Sequence, residues 1–325
     1  MAAPTIPNGE EYFFPIIYEG NGAGQRVGKF VPFTDNGTIA NSVLFNDDDD
    51  AYLARTFSTP TNNKKWTYSV WIKRGALGTD QAIMSADYDG ASYWDMRFNT
   101  SNQIYIQNRI GSSNILLANT TRTFEDTSKW YHLVFVYDSD NSTSTSRAIL
   151  YIDGDIQTLS AYPSSGDASA YNVNSEPHHI GVSRTNSTSG GIWSEFDGYF
   201  AEANFVDGQA LTPASFGLTD TSTGRWIPKT LTGITYGTNG FRLTFADSSA
   251  LGDDLSGNTN DFSVTNLVAG DQTTDSPTQN FATLNPHPDT GGTLSEGNLK
   301  LVTNNTGFNV KLATLRPKSG KYYAE

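Results

Sequence analysis

This chain of 325 residues contains no cysteine, so a disulfide framework, a thiolate metal site and a cysteine nucleophile are all excluded. Stability must come from packing alone. Positive charge is also scarce: Lys and Arg total 21 against 34 Asp and Glu, a formal net charge of −13. That balance disfavours nonspecific attraction to nucleic acid or to an anionic membrane, and neither is expected as a partner. No apolar run is long enough to span a bilayer, so membrane insertion is not expected. The N-terminus, with Glu10 and Glu11, lacks the basic and apolar regions of a signal peptide. Histidine is limited to four residues. No Gly-x-Ser-x-Gly elbow or phosphate loop occurs, and the glycine-rich GNGAGQ is not set between a strand and a helix as a dinucleotide fingerprint is.

The chain is rich instead in glycine and aromatics, with 30 Gly, 18 Phe, 16 Tyr and 6 Trp. Their order is that of short strands and many turns. In WYHLVFVYD (130–138), Tyr131, Leu133, Phe135 and Tyr137 share one parity and His132, Val134 and Val136 the other. Both faces are largely apolar, which places this strand in the middle of a sheet. In KWTYSVWIK (65–73), Trp66, Tyr68, Val70 and Ile72 alternate against Thr67, Ser69, Trp71 and Lys73. RAILYIDGDIQ (147–157) puts Ala148, Leu150 and Ile152 on one side and turns at Asp153-Gly154, where positive φ is cheap. The reading is an all-β antiparallel sandwich.

These landmarks, with NSVLFNDDDDAYLAR (41–55) and FDGYFAEANFVDGQALT (196–212), resemble the laminin-G-like, concanavalin A-type jelly-roll superfamily. The resemblance covers residues 41–216. DLSGNTNDF (254–262) looks like a turn common in such domains, and NLKLVTNNTGFNVKLATLRPKSGKYYAE (298–325) resembles the opening of a SPRY-type β-unit, apparently incomplete. This succession is similar to structural proteins of tailed phages. The resemblance implies a fibre or appendage component on the virion surface, made in the host cytoplasm, that adheres to host surface glycan. It also implies other virion proteins as partners and a trimeric assembly, which, with no heptads for a coiled-coil stalk, would form through sandwich or arm contacts. The alternatives are a capsid-decoration or head-fibre protein without sugar specificity, and a glycoside hydrolase.

The chain divides into an N-terminal arm (1–40), the jelly roll (41–218), a linker and β-rich extension (219–297) and the start of the second unit (298–325). In the arm, Tyr12, Phe13, Phe14, Ile16, Ile17 and Tyr18 are candidates for docking to the virion; adding an edge strand to their own domain is the alternative. For glycan, DYDGASYWDMRFN (87–99) offers Tyr88, Tyr93, Trp94 and Asp95, because a sugar's CH groups stack on rings while its hydroxyls need polar partners. The competing reading is that Trp94 and Met96 are core residues. For calcium, hard oxygen ligands crowd at Asp47 and Asp49 and at Asp87 or Asp89, although the spacing is not that of an EF-hand. Hydrolysis needs two converging carboxylates. Glu195 and Asp197 share strand parity but Glu202 does not, so a catalytic pair is not expected. His178 and His179 are adjacent and point to opposite faces, which excludes a two-histidine metal face.

Overall fold

The structure, a computed structural model, describes residues 37–87, 90–184, 191–287, 292–303 and 311–315, together with the backbone of two short paired strands, Ile17–Tyr18 and Gln25–Arg26. Two antiparallel sheets form a sandwich. The front sheet centres on Lys65–Arg74, flanked by Tyr131–Asp138 on one side and Gly198–Asp207 on the other. Ala148–Ile152 and Asp155–Gln157 continue it one way, and Ser42–Phe45 and Gln272–Thr273 the other. The back sheet runs in the order Ser263–Thr265, Tyr52–Thr56, Pro177–Ile180, Gln81–Asp87, Tyr93–Phe98, Gln103–Ile110 and Ser113–Thr123.

Parity decides what each strand gives to the core. Trp66, Tyr68, Val70 and Ile72 face inward and meet Leu133, Phe135 and Tyr137 from the neighbouring strand. From the back sheet, Trp94, Met96, Phe98, Ile104 and Ile106 close against them. The Trp66 and Trp94 rings meet edge to face, 5.1 Å between centroids, a preferred aromatic geometry. Each such side chain stabilises by roughly 1.5–3 kcal/mol through burial, which is how a cysteine-free chain holds together. Tyr131–Asp138 is buried along its whole length, as its two apolar faces predict. The hairpin at Asp153-Gly154 has φ of 54° and 85° at those residues, the positive pair a tight two-residue turn requires.

Residues after 218 contribute to the same two layers. Phe241–Leu243 pairs with Gly198–Asp207, and Ser263–Thr265 pairs with Tyr52–Thr56. The turn in DLSGNTNDF is built around Asp254, whose carboxylate accepts from the backbone N–H of Arg242, Ser256 and Asn260. Gln272–Thr273 lies against Ser42–Phe45, and the segment that follows crosses the outer face of the front sheet. It is held by Lys73, fully buried there, which donates to Asp275 (2.7 Å), Asn280 Oδ1 (2.9 Å) and the Phe281 carbonyl (2.7 Å). Among the described residues no helix is long and apolar enough to cross a membrane.

Two of the three strand histidines, His132 and His178, are locked in opposite neutral tautomers. Trp226 Nε1–H donates to His132 Nδ1 (2.8 Å), so His132 carries its proton on Nε2, toward Ser69 Oγ (2.9 Å). For His178 the Asn172 backbone N–H reaches Nε2 (3.1 Å), leaving Nδ1–H to donate to the Glu176 carbonyl (2.8 Å). Burial pushes both down to about 3. Asp197 moves the other way: burial, then repulsion from Asp47, lifts its carboxyl to about 7. At pH 5–6 the unfolded chain holds two more protons on the histidines and the folded chain one more on Asp197. Stability contributed by the histidines is present above about pH 6.5 and is lost on acidification, whereas that from Asp197 is lost as the pH rises toward 7. The net is one proton, so these groups make stability rise by about 1.4 kcal/mol per pH unit between pH 5 and 6. Asp197→Asn is expected to steepen this slope by about the same amount, measured by urea denaturation across that range. A slope unchanged by the substitution contradicts the assignment.

Candidate functional site

The outer face of the back sheet carries a cavity of about 460 Å³. Its floor comes from alternate residues of Tyr93–Phe98, namely Tyr93, Asp95 and Arg97, with Gln107 from the adjoining strand. Ser85 and Ser183 form one side, and Trp193, 51% exposed, stands at the rim. The same alternation that sends Trp94, Met96 and Phe98 into the core turns these polar side chains outward.

Asp95 is the centre of the floor. It is 6% exposed, its Oδ1 accepts from Ser183 Oγ at 2.7 Å, and its Oδ2 is paired with Arg97 Nη1. Burial raises its carboxyl above the ordinary value, and Arg97 and Ser183 pull it back. Arg97 also reaches Asp80 (Nε to Oδ1, 3.5 Å) and lies 4.2 Å over the Tyr105 ring. The Tyr105 hydroxyl donates to Gln107 Oε1 (2.5 Å), whose Nε2 donates to Asn114 (2.8 Å). Burial pushes the Tyr105 phenol up to about 12, so it remains a hydrogen-bond donor at neutral pH. The result is a rigid polar floor beside an exposed indole ring.

Of the four residues expected to meet glycan, Tyr93, Trp94 and Asp95 border this cavity. Tyr88 lies outside the described residues. Trp94 borders it without offering its ring: at 1% exposure the indole is committed to the core, edge to face with Trp66 and Tyr137, as the competing reading had it. Adjacent residues of a strand point to opposite faces, so Trp94 and Asp95 cannot present rings and carboxylate to one ligand. Trp193, Arg97 and Gln107 are additions. The parity of Tyr93, Asp95 and Arg97 was readable in the sequence, whereas Trp193 sits in a two-residue strand, Ile192–Trp193, paired with Ser183–Arg184, and gives no periodic signal.

The other expectations distribute as follows. Asp47 and Asp49 belong to a 3₁₀ turn at Asp47–Asp49, where Asp49 accepts from Asn46 Nδ2 (2.9 Å). The Asp87 side chain and Asp89 lie outside the described residues, and among the described residues no three His, Cys, Asp or Glu side chains form a group able to hold a metal. Tyr12, Phe13, Phe14 and Ile16 also lie outside, while Ile17 and Tyr18 pair with Arg26 and Gln25. Glu202 is bound to Arg242 Nε at 2.5 Å, and Asp197 is buried.

The chain belongs to the concanavalin A-like lectin/glucanases superfamily, whose family model matches residues 46–215. Among solved structures it is similar to a heptameric pentraxin of Limulus polyphemus, at 16% identity over 54% of this chain and 78% of that one, with a TM-score of 0.40. It is similar to domains LG4-5 of the mouse laminin alpha1 chain at 13% identity over 63% of this chain and 49% of that one, TM-score 0.39. A third is domain 4 of an extracellular arabinanase from Geobacillus stearothermophilus, solved with arabinotriose, at 15% identity over 64% of this chain and 81% of that one, TM-score 0.37. No curated protein sequence matches.

Proposed function

We propose that the chain binds glycan without cleaving it, through the cavity floored by Tyr93, Asp95 and Arg97 and rimmed by Trp193. The observation that carries this reading is the pairing of an exposed indole with a fixed polar floor, the combination that stacks on sugar CH groups while meeting hydroxyls. Charge narrows the ligand class. Two carboxylates, Asp80 and Asp95, engage the Arg97 guanidinium, and a second guanidinium, that of Arg109, lies 5.8 Å from the Tyr93 ring. With these charges balanced the floor suits an uncharged sugar, whose hydroxyls it can meet without a net field. Both oxygens of Asp95 are held by Ser183 and Arg97, which favours a binding role over acid–base work. Membership of a superfamily of lectins and glucanases is consistent with the proposal.

The wider setting rests on the sequence resemblance to tailed-phage structural proteins. In that setting the module belongs to a virion surface appendage, assembled as a trimer with other virion proteins, and adheres to a host surface glycan. A shell-decorating role without sugar affinity is the competing reading. On a glycan array, saturable binding to neutral oligosaccharides is expected, and Trp193→Ala should weaken it at least about tenfold with little change in Tm, since that ring is half exposed. Silence across the neutral glycans would favour decoration of the shell.

A further inference from the structure

We propose that Lys73 and Asn280 become joined by an intramolecular isopeptide bond, formed by attack of the Lys73 amine on the Asn280 carboxamide with Asp275 as proton carrier. Lys73 stands apart from the other lysines described: it alone belongs to the buried set, with the rings of Trp130 and Tyr199 close by. One nitrogen, Nζ, is hydrogen-bonded to both groups such a reaction needs, the Asp275 carboxylate at 2.7 Å and the Asn280 carboxamide oxygen at 2.9 Å. A buried lysine is readily converted to a neutral nucleophile, and desolvation lowers the basicity of this one against the pull of Asp275.

The partners are oriented. Asp275 Oδ1 accepts from Trp130 Nε1 (3.1 Å) and the Phe281 backbone N–H (3.2 Å), leaving Oδ2 to Lys73. Asn280 Nδ2 donates to the Ser128 carbonyl (2.7 Å), which turns the amide oxygen toward the amine and its nitrogen away. The electrophilic carbon is bonded to the oxygen already touching Nζ, so a change in the Lys73 or Asn280 side-chain torsions separates this hydrogen-bonded arrangement from attack. Asn280 itself is exposed, which gives the leaving group a route to solvent.

The atoms balance. The Lys73 ammonium gives a proton to Asp275, and the neutral Nζ adds to Cγ of Asn280. The Cγ–Nδ2 bond then breaks. The departing nitrogen takes one proton from Nζ and the one held by Asp275, leaving as ammonium, while Asp275 returns to carboxylate. No oxidant or co-reactant is consumed. The bond closes a loop of 207 residues and makes the segment across the front sheet covalent with it.

Intact-mass measurement of the full chain under denaturing conditions is expected to find it lighter by one ammonia, about 17 Da. Peptide mapping should recover a branched peptide joining Lys73 to Asn280, which separates the cross-link from a cyclised asparagine of equal mass. Asn280→Ala, at an exposed position, should fold, show its full sequence mass and melt at lower temperature. Wild-type protein at full sequence mass with separate Lys73 and Asn280 peptides overturns the proposal, and so does an equal mass loss in Asn280→Ala.

Discussion

Asp207→Ala is expected to cost this protein about 4 kcal/mol or more of stability, a large part of what a domain ordinarily has. Asp207 is 1% exposed and its two oxygens serve four donors. Oδ2 accepts from the backbone N–H of Thr61 (2.7 Å) and Asn239 (3.1 Å), and Oδ1 from the Asn62 N–H (3.1 Å) and Asn172 Nδ2 (2.8 Å). It thereby ties three separate segments of chain, at 61–62, 172 and 239, to the end of its own strand. Truncation strands these donors, each costing about 1–3 kcal/mol when left unpaired. Asp207→Asn should cost less, because one oxygen stays an acceptor while the new NH₂ faces donors. Urea denaturation should show the midpoint of the alanine variant falling sharply with an unchanged slope. A loss below about 1 kcal/mol would mean that the four donors find other partners.

Trp94→Ala is expected to lose about 3–5 kcal/mol, the cost of emptying an aromatic core position. The ring touches Trp66, Phe135, Tyr137 and Tyr171, so its removal opens a cavity where both sheets meet. Trp94→Phe should recover much of the loss. The comparison with Trp193→Ala is informative: the expected loss is in stability for Trp94 and in glycan binding for Trp193. If Trp94→Ala leaves Tm unchanged, the assignment of its ring to the core fails.

Local alternation made much of the sandwich legible. It assigned Trp66, Tyr68, Val70 and Ile72 to one face and placed Tyr131–Asp138 inside a sheet, because period 2 is a property of single strands. The hairpin at Asp153-Gly154 was legible for a similar reason, since its geometry depends on two adjacent residues. The site was legible only in part. Grouping Tyr88, Tyr93, Trp94 and Asp95 by proximity in sequence joined residues that a strand sends to opposite faces, whereas parity would have selected Tyr93, Asp95 and Arg97. Trp193 reaches the same cavity from a distant short strand, and Lys73 meets Asp275 across 202 positions. Contacts of that range leave no local pattern to read.

The pairing of Gln272–Thr273 with Val43 and Ser42 has a consequence for the edge of the front sheet. The first strand of the sandwich and the last strand of its front sheet lie side by side, so the polypeptide enters and leaves this layer at one edge. The late strand thereby covers part of an edge that the first strand would otherwise leave open to pairing with another chain.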